Sequence, residues 1–178
     1  MGFMSVKSNH SKIRTAVVTI SDRGSRGERE DLSGPVIKEM MENIGAVIVY
    51  EDIIADEKAE ITNALTEISD KNTADLILTT GGTGFAERDI TPEATLEVIE
   101  KEVPGIPEKI RADTIAITPQ AALSRARAGI RKKTLIINFP GSPKAVRECL
   151  EAVIGIIPHG IKILNGKITE HHHYNNQK

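Results

Sequence analysis

The residues of this chain that could do chemistry gather in short polar turns. The run Thr79-Thr80-Gly81-Gly82-Thr83-Gly84 leads into Phe85-Ala86-Glu87-Arg88-Asp89 and then Thr91-Pro92-Glu93, so a glycine loop precedes both a carboxylate and a helix start. Glycines let the backbone come close to a ligand, and successive amides can point at an anion, phosphate above all. Asp89 lies too far before Pro92 to cap the next helix itself. A carboxylate held beside a polyphosphate makes sense with a divalent cation between them, since Mg2+ takes one or two carboxylates together with phosphate oxygens and water. The plainer readings are an exposed loop acid pairing with Arg88 and a tight strand-to-helix turn without a ligand. Neither standard nucleotide fingerprint is present. Position 87 is glutamate where the dinucleotide pattern needs glycine, and no glycine-rich run ends in Gly-Lys-Ser or Gly-Lys-Thr.

Other turns carry related groups. Pro140-Gly141-Ser142-Pro143-Lys144 places a glycine, a hydroxyl and a lysine at a helix start, a second place suited to an anion or to a capped helix alone. Ser21-Asp22 closes an apolar run, and Asp56, after another, reads on spacing as a plain N-cap. Arg125, Arg127, Arg131, Lys132 and Lys133 form a basic run that reads as a solvated face or as an attractor of anionic substrates; without aromatic residues it does not suit single-stranded nucleic acid. Cys149 and His159 sit in apolar segments and read as structural. His10 and His171 to His173 lie in polar ends, where no Cys or carboxylate cluster completes a metal site.

The elements that must position these groups alternate. Apolar strands are expected at Thr15 to Ile20, Ala46 to Ile54, Asp75 to Thr80 and Thr134 to Asn138. Val36, Met40 and Ile44, with Ile37 and Met41, recur at helical spacing behind Ser33 as cap and Pro35, with Gly45 as the stop. Ile61, Ala64, Leu65 and Ile68 make the next helical stripe, and Val146, Leu150, Val153 and Ile157 the last, with Ser142 and Pro143 in capping roles. Thr91 reads as the capping hydroxyl of its helix, Pro104 and Pro107 as breaks, and Gln120 to Lys133 as a helix turn followed by a hairpin arm. Alternation of this kind gives right-handed crossovers and a three-layer, doubly wound α/β fold, a mostly parallel sheet with helices on both faces. Ligands bind such sheets at the edge where the strand-end turns meet.

Composition bounds the rest. With 178 residues, 39% of them hydrophobic and 27% charged, the chain has ordinary globular values and reads as one domain over residues 13–168 between flexible ends, 1–12 and 169–178. A net charge of -2 predicts no indiscriminate affinity for nucleic acid or acidic membranes. A single cysteine excludes an intrachain disulfide and fits a reducing compartment, and no apolar run approaches the roughly 20 residues of a membrane span. A soluble, cytoplasmic protein is expected.

The run from Leu78 to Gly84 with Arg88-Asp89-Ile90-Thr91-Pro92-Glu93-Ala94-Thr95 resembles the signature of the molybdopterin adenylyltransferases, the Mog and MoaB family of molybdenum cofactor biosynthesis. The likeness extends through Ile20-Ser21-Asp22, Pro104-Gly105, Leu123-Ser124-Arg125, Gly129-Ile130-Arg131-Lys132 and Asn138 to Ala145, covering Ile13 to Leu164. It implies a molybdopterin-binding-domain-like fold and transfer of AMP from Mg-ATP to the terminal phosphate of molybdopterin, with release of pyrophosphate. That nucleophile is already largely ionised near neutral pH, so no serine, cysteine or histidine base is needed. By the same likeness Asp56 and Asp89 are the two catalytic aspartates, positioning metal and phosphate. Gly81, Gly82, Thr83, Gly84, Pro140, Gly141, Ser142 and Lys144 then shape the substrate surface, with Ser21, Asp22 and Ser124 as polar contacts. A homotrimer is implied, with delivery to a molybdenum-inserting enzyme. Two alternatives stand beside this reading: a non-catalytic molybdopterin-binding or carrier protein, and a molybdotransferase, whose extra domains this chain lacks.

Overall fold

A computed structural model describes residues 12–166, so the expected flexible ends fall outside the described residues except for Lys12. Among those residues six strands form one sheet: β1 (Arg14–Ile20), β2 (Val47–Ile54), β3 (Leu76–Thr80), β4 (Lys101–Glu102), β5 (Ala128–Arg131) and β6 (Thr134–Phe139), in the order β2-β1-β3-β6-β5-β4. The first four in that order run parallel; β5 and then β4 add antiparallel.

The two-residue period of the strands sorts their side chains into two cores. Val17, Leu76, Leu78, Leu135, Ile137 and Phe139 face α2 (Ser33–Asn43), α5 (Gly105–Thr114), α6 (Pro143–Val153) and α7 (Ile157–Leu164). Ala16, Val18, Ile20, Ile77 and Ile136 face α3 (Lys58–Asp70) and α4 (Thr91–Val98). Central strands buried on both sides are mostly apolar, which is why they read as continuous runs, with the buried threonines and Asn138 as the polar exceptions. The expected three-layer fold is what the chain forms.

Register decides where the turns go. Thr19 lies opposite Thr80, Thr80 opposite Phe139, and Ile20 opposite Ile54, so four parallel strands end level and their following turns converge. On the far side of Ile20 the chain turns at once into the short helix α1 (Asp22–Ser25).

Several helix starts differ from expectation for one reason: their hydroxyls are recruited to hold turns. Ser33 is the first residue of α2, and Asp31 Oδ1 accepts from the amides of Ser33 at 2.9 Å and Gly34 at 3.1 Å in its place. Thr91 likewise begins α4 and donates its hydroxyl to the Gly81 carbonyl at 3.0 Å. Asp56 does not cap α3, whose N-cap is Glu57. Pro104 and Pro107 do not break the chain into pieces but open α5, where the first-turn amides have no helical partner to lose. Ser142 does cap α6, accepting from the Ala145 amide at 3.2 Å. The segment from Gln120 to Lys133 resolves into the end of a 3-10 turn (Pro119–Leu123) and the arm β5, which reverses into β6 through Lys132 at φ +52°. His159 lies exposed on α7, not in the core. Among the described residues no helix is long and apolar enough to cross a membrane.

Candidate active site

The glycine loop crosses the end of β1 at a distance no side chain tolerates. A Cβ on Gly81, at φ +106°, would sit 2.2 Å from the Ile20 carbonyl oxygen; one on Gly82, at φ +64°, would sit 2.3 Å from Thr91 Oγ1 and 3.2 Å from Asp56 Oδ1. Both glycines are therefore required by space and by backbone conformation. Thr91 fixes the loop from behind, its amide donating to the Gly82 carbonyl at 3.1 Å. The Pro140-Gly141 turn is pinned beside it, because Thr80 Oγ1 donates to the Pro140 carbonyl and Ser33 Oγ to the Gly141 carbonyl, each at 2.7 Å.

Around this backbone stand three aspartates with different surroundings. Asp22 and Asp56 interlock: the Asp22 amide donates to Asp56 Oδ2 at 2.8 Å, and the Asp56 amide donates to Asp22 Oδ1 at 3.1 Å. Arg88 grips Asp22 with both prongs of its guanidinium, at 2.9 and 2.8 Å, and pairs with Glu57 at 2.8 Å. The Arg88 fork holds the Asp22 carboxyl below the usual carboxylate range, while Asp56 is pushed above it, by burial first and then by the charges of Asp22 and Asp89. Asp89 Oδ2 accepts from the Ala86 amide at 2.8 Å, a bond that sets the carboxylate's direction.

Among the described residues no group of three or more His, Cys, Asp or Glu side chains is arranged to hold a metal unaided. Asp56 and Asp89 nevertheless fit Mg2+ as part of a shared site. Their donors are all oxygen, and the Asp56 carboxyl, raised chiefly by burial and further by the charges of Asp22 and Asp89, carries a penalty that a cation completed by phosphate and water would relieve.

Two cavities flank the loop. One of about 240 Å³ is lined by Thr19, Ser21, Asp31, Asp56, Thr80 and Gly81. The other, about 450 Å³ and more apolar, is lined by Ile110, Thr114, Leu123, Ser124, Ala145 and Cys149. Gly82, Asp89 and Gly141 border both. Two ligands seated one in each cavity would meet at the acid and the two glycines.

Of the residues expected at the site, Gly81, Gly82, Thr83, Gly84, Ser21, Ser124, Pro140, Gly141, Ser142, Asp56 and Asp89 line one cavity or the other. Asp22 is engaged by Arg88 and Asp56. Lys144 extends into solvent with only Glu148 at 3.8 Å. Cys149 borders the larger cavity, but burial pushes its thiol up to about 11, so it is no nucleophile at neutral pH. The basic run does not form one face toward the site: Arg127 pairs with Glu102, Arg131 with Asp70 and Lys132 with Glu100. Arg125 alone turns inward, donating to the carbonyls of Gly84 and Asp89 and pairing with Glu93. Asp31 is the contributor that spacing did not single out; Arg88 pairs with Asp22 and Glu57 and not, as the plainer sequence reading has it, with Asp89, and Arg125 leaves the expected solvated or anion-attracting run to bind the loop. Asp31 had a signal, an acid two residues before Ser33-Gly34-Pro35; the partners of the two arginines are set only by the fold.

A family model described as "Probable molybdopterin binding domain" matches residues 16–159. A molybdopterin adenylyltransferase of Helicobacter pylori (strain ATCC 700392 / 26695) is 46% identical over 160 residues, 89% of this chain and 91% of that protein. One from Escherichia coli (strain K12) is 41% identical over 173 residues, 89% of this chain and 88% of its own length. The crystal structure of a molybdopterin biosynthesis enzyme, MoaB from Thermus thermophilus, superposes with a TM-score of 0.83 at 44% identity, covering 89% of this chain and 99% of that one.

Proposed function

This chain belongs to the family of probable molybdopterin binding domains, and from that premise we propose that it is a molybdopterin adenylyltransferase of molybdenum cofactor biosynthesis. The observation that carries the reading is the pair of cavities sharing Gly82, Asp89 and Gly141 at their border. Direct transfer from one substrate to the other needs both bound side by side with their reacting atoms at the junction.

In this reading ATP and molybdopterin occupy one cavity each. An oxygen of the molybdopterin terminal phosphate attacks the α-phosphorus of ATP, a new phosphate-phosphate bridge forms, and the bond from the α-phosphorus to the bridging oxygen breaks to release pyrophosphate. The attacking oxygen carries no proton that must be removed near neutral pH. The chain's own work is orientation. The amides and close approach of the Gly81 to Gly84 turn receive phosphate, and Asp22, locked by Arg88, fixes Asp56 through reciprocal amide bonds. Asp56 and Asp89 would hold Mg2+, which when bound would offset the charge gathered on the phosphates.

Other parts of the reading concern the whole particle. The single cysteine suits a reducing cytoplasm. The homotrimer implied by the resemblance would need an apolar interface, and Ile115, Ile117 and Leu123, 47, 56 and 51% exposed near the irregular segment, offer surface for one. The adenylylated product would pass to a molybdenum-inserting enzyme.

The two-cavity arrangement is tested by calorimetry with a non-hydrolysable ATP analogue and molybdopterin. The expected result is that each binds in the presence of the other at one equivalent per chain; mutual exclusion would overturn the side-by-side arrangement.

A further inference from the structure

We infer that Arg125 is the positioning residue of the Asp89 loop, an assignment that rests on the adenylyltransferase reading. Its guanidinium reaches both ends of the segment from Gly84 to Asp89 at once. Nε donates to the Gly84 carbonyl at 2.7 Å, one terminal nitrogen donates to the Asp89 carbonyl, and the other pairs with Glu93 in the first turn of α4. Its own amide donates to the Thr83 carbonyl at 3.1 Å.

The loop has one other external anchor, Arg88, whose guanidinium bonds Asp22 and Glu57. Phe85, Ala86, Glu87 and Arg88 are exposed, and the internal bonds are those exchanged between Ala86 and Asp89. Without the guanidinium, two carbonyls and the Glu93 carboxylate lose their donor, and the turn within which the Ala86 amide directs the Asp89 carboxylate loses the clamp across its two ends. A role in attracting anions does not fit, because the nitrogens of the fork are already taken up by protein acceptors. A planar guanidinium serves three acceptors in one plane; a lysine ammonium on a flexible stem does not replace it.

Arg125 also ends the segment Leu123-Ser124, which walls the larger cavity. The wall and the acid are thereby joined through one residue. A substrate that presses on Leu123 and Ser124 bears on the loop that carries Asp89 at the junction of the two cavities.

The test compares the intact protein with Arg125→Lys and Arg125→Ala, with Arg147→Ala, a surface pair with Glu39 far from the loop in sequence, as control. Amide hydrogen exchange, which needs no turnover, is expected to quicken at Ala86 and Asp89 in both Arg125 variants while α3 keeps its protection. In the adenylylation assay, kcat is expected to fall about 100-fold with both KM values little changed, a loss typical of a displaced reacting group. The Mg2+ concentration for half-maximal rate should rise, lysine should not rescue, and Arg147→Ala should behave as the parent. Unchanged exchange at Ala86 and Asp89, full rescue by lysine, or raised KM with unchanged kcat would each overturn the assignment. An inactive parent protein would count against the adenylyltransferase reading alone, and the exchange measurement would still decide whether Arg125 holds the loop.

Discussion

Asp56 borders the same cavity as Asp89, and its surroundings make it sensitive to pH. Asp56 is half-buried among like charges and its carboxyl is raised, burial being the larger cause. Only its ionised form can ligate a cation. Mg2+ binding should therefore weaken as pH falls through that raised range, sooner than for an aspartate near its ordinary value of about 4, and a Mg2+ titration by calorimetry across pH would detect it. The same shift carries a stability consequence. A carboxyl raised in the folded protein costs stability as pH climbs from the ordinary value through the raised one and costs nothing below that window. Asp56→Asn should accordingly raise the thermal midpoint of the metal-free protein at neutral pH, leave it unchanged in strong acid, and abolish turnover. For Asp89→Asn the amide keeps the size and loses the charge. If the lost interaction is worth about 3 to 4 kcal/mol in the transition state, turnover falls roughly 100- to 1000-fold with molybdopterin binding intact and partial rescue at high Mg2+. Near-normal activity at low Mg2+ would return Asp89 to a solvated loop acid.

At the scale of elements, the two ends of the sheet do different work. Opposite the site, Asp75 is buried and accepts from Arg14 three times, from its amide at 2.9 Å and its guanidinium at 3.3 and 2.8 Å. Burial alone would push the Asp75 carboxyl up, but the Arg14 bonds together hold it below the usual range. The stability it contributes is present above the ordinary carboxylate value and is lost as pH falls through the lowered one. Arg14→Ala should cost about 1 to 3 kcal/mol at neutral pH, reduced from a fully buried pair because Arg14 is partly exposed, and denaturant unfolding should find the difference narrowing in acid to what the Arg14 bonds to Asn72 and Thr73 contribute. At the site end, Gly82→Val should weaken binding of both ligands, but its Cβ would strike Thr91 Oγ1, so α4 must shift and the melting temperature should fall as well. Apolar runs made the main strands, their parallel direction and the convergence of the turns legible in the sequence, while the strand order and the two-residue β4 were not. The caps were less legible, because Ser33 and Thr91 are drawn into bonds with Gly141 and Gly81 that local spacing does not disclose. The N-cap reading of Asp56 and the basic-run reading of Arg125 fail for a related reason. The partners of these two residues lie 34 and 41 residues away, and only the level ends of the strands bring them within reach.

For the molecule as a whole, the account requires two substrates, one junction and turnover. Light scattering at micromolar concentration should report a trimer, with Ile117→Asp, outside both cavities, shifting it toward monomer; a wild-type monomer would contradict the assembly and leave the site unaffected. The central claim is catalysis at the border of the two cavities, and one measurement addresses it most directly. Pure protein is incubated with Mg-ATP and molybdopterin while adenylylated pterin and pyrophosphate are both quantified. The account predicts that the two products accumulate in equal amounts and that neither forms when ATP, Mg2+ or molybdopterin is left out. Binding of both ligands with no product of either kind would contradict it and identify the chain as a carrier of molybdopterin.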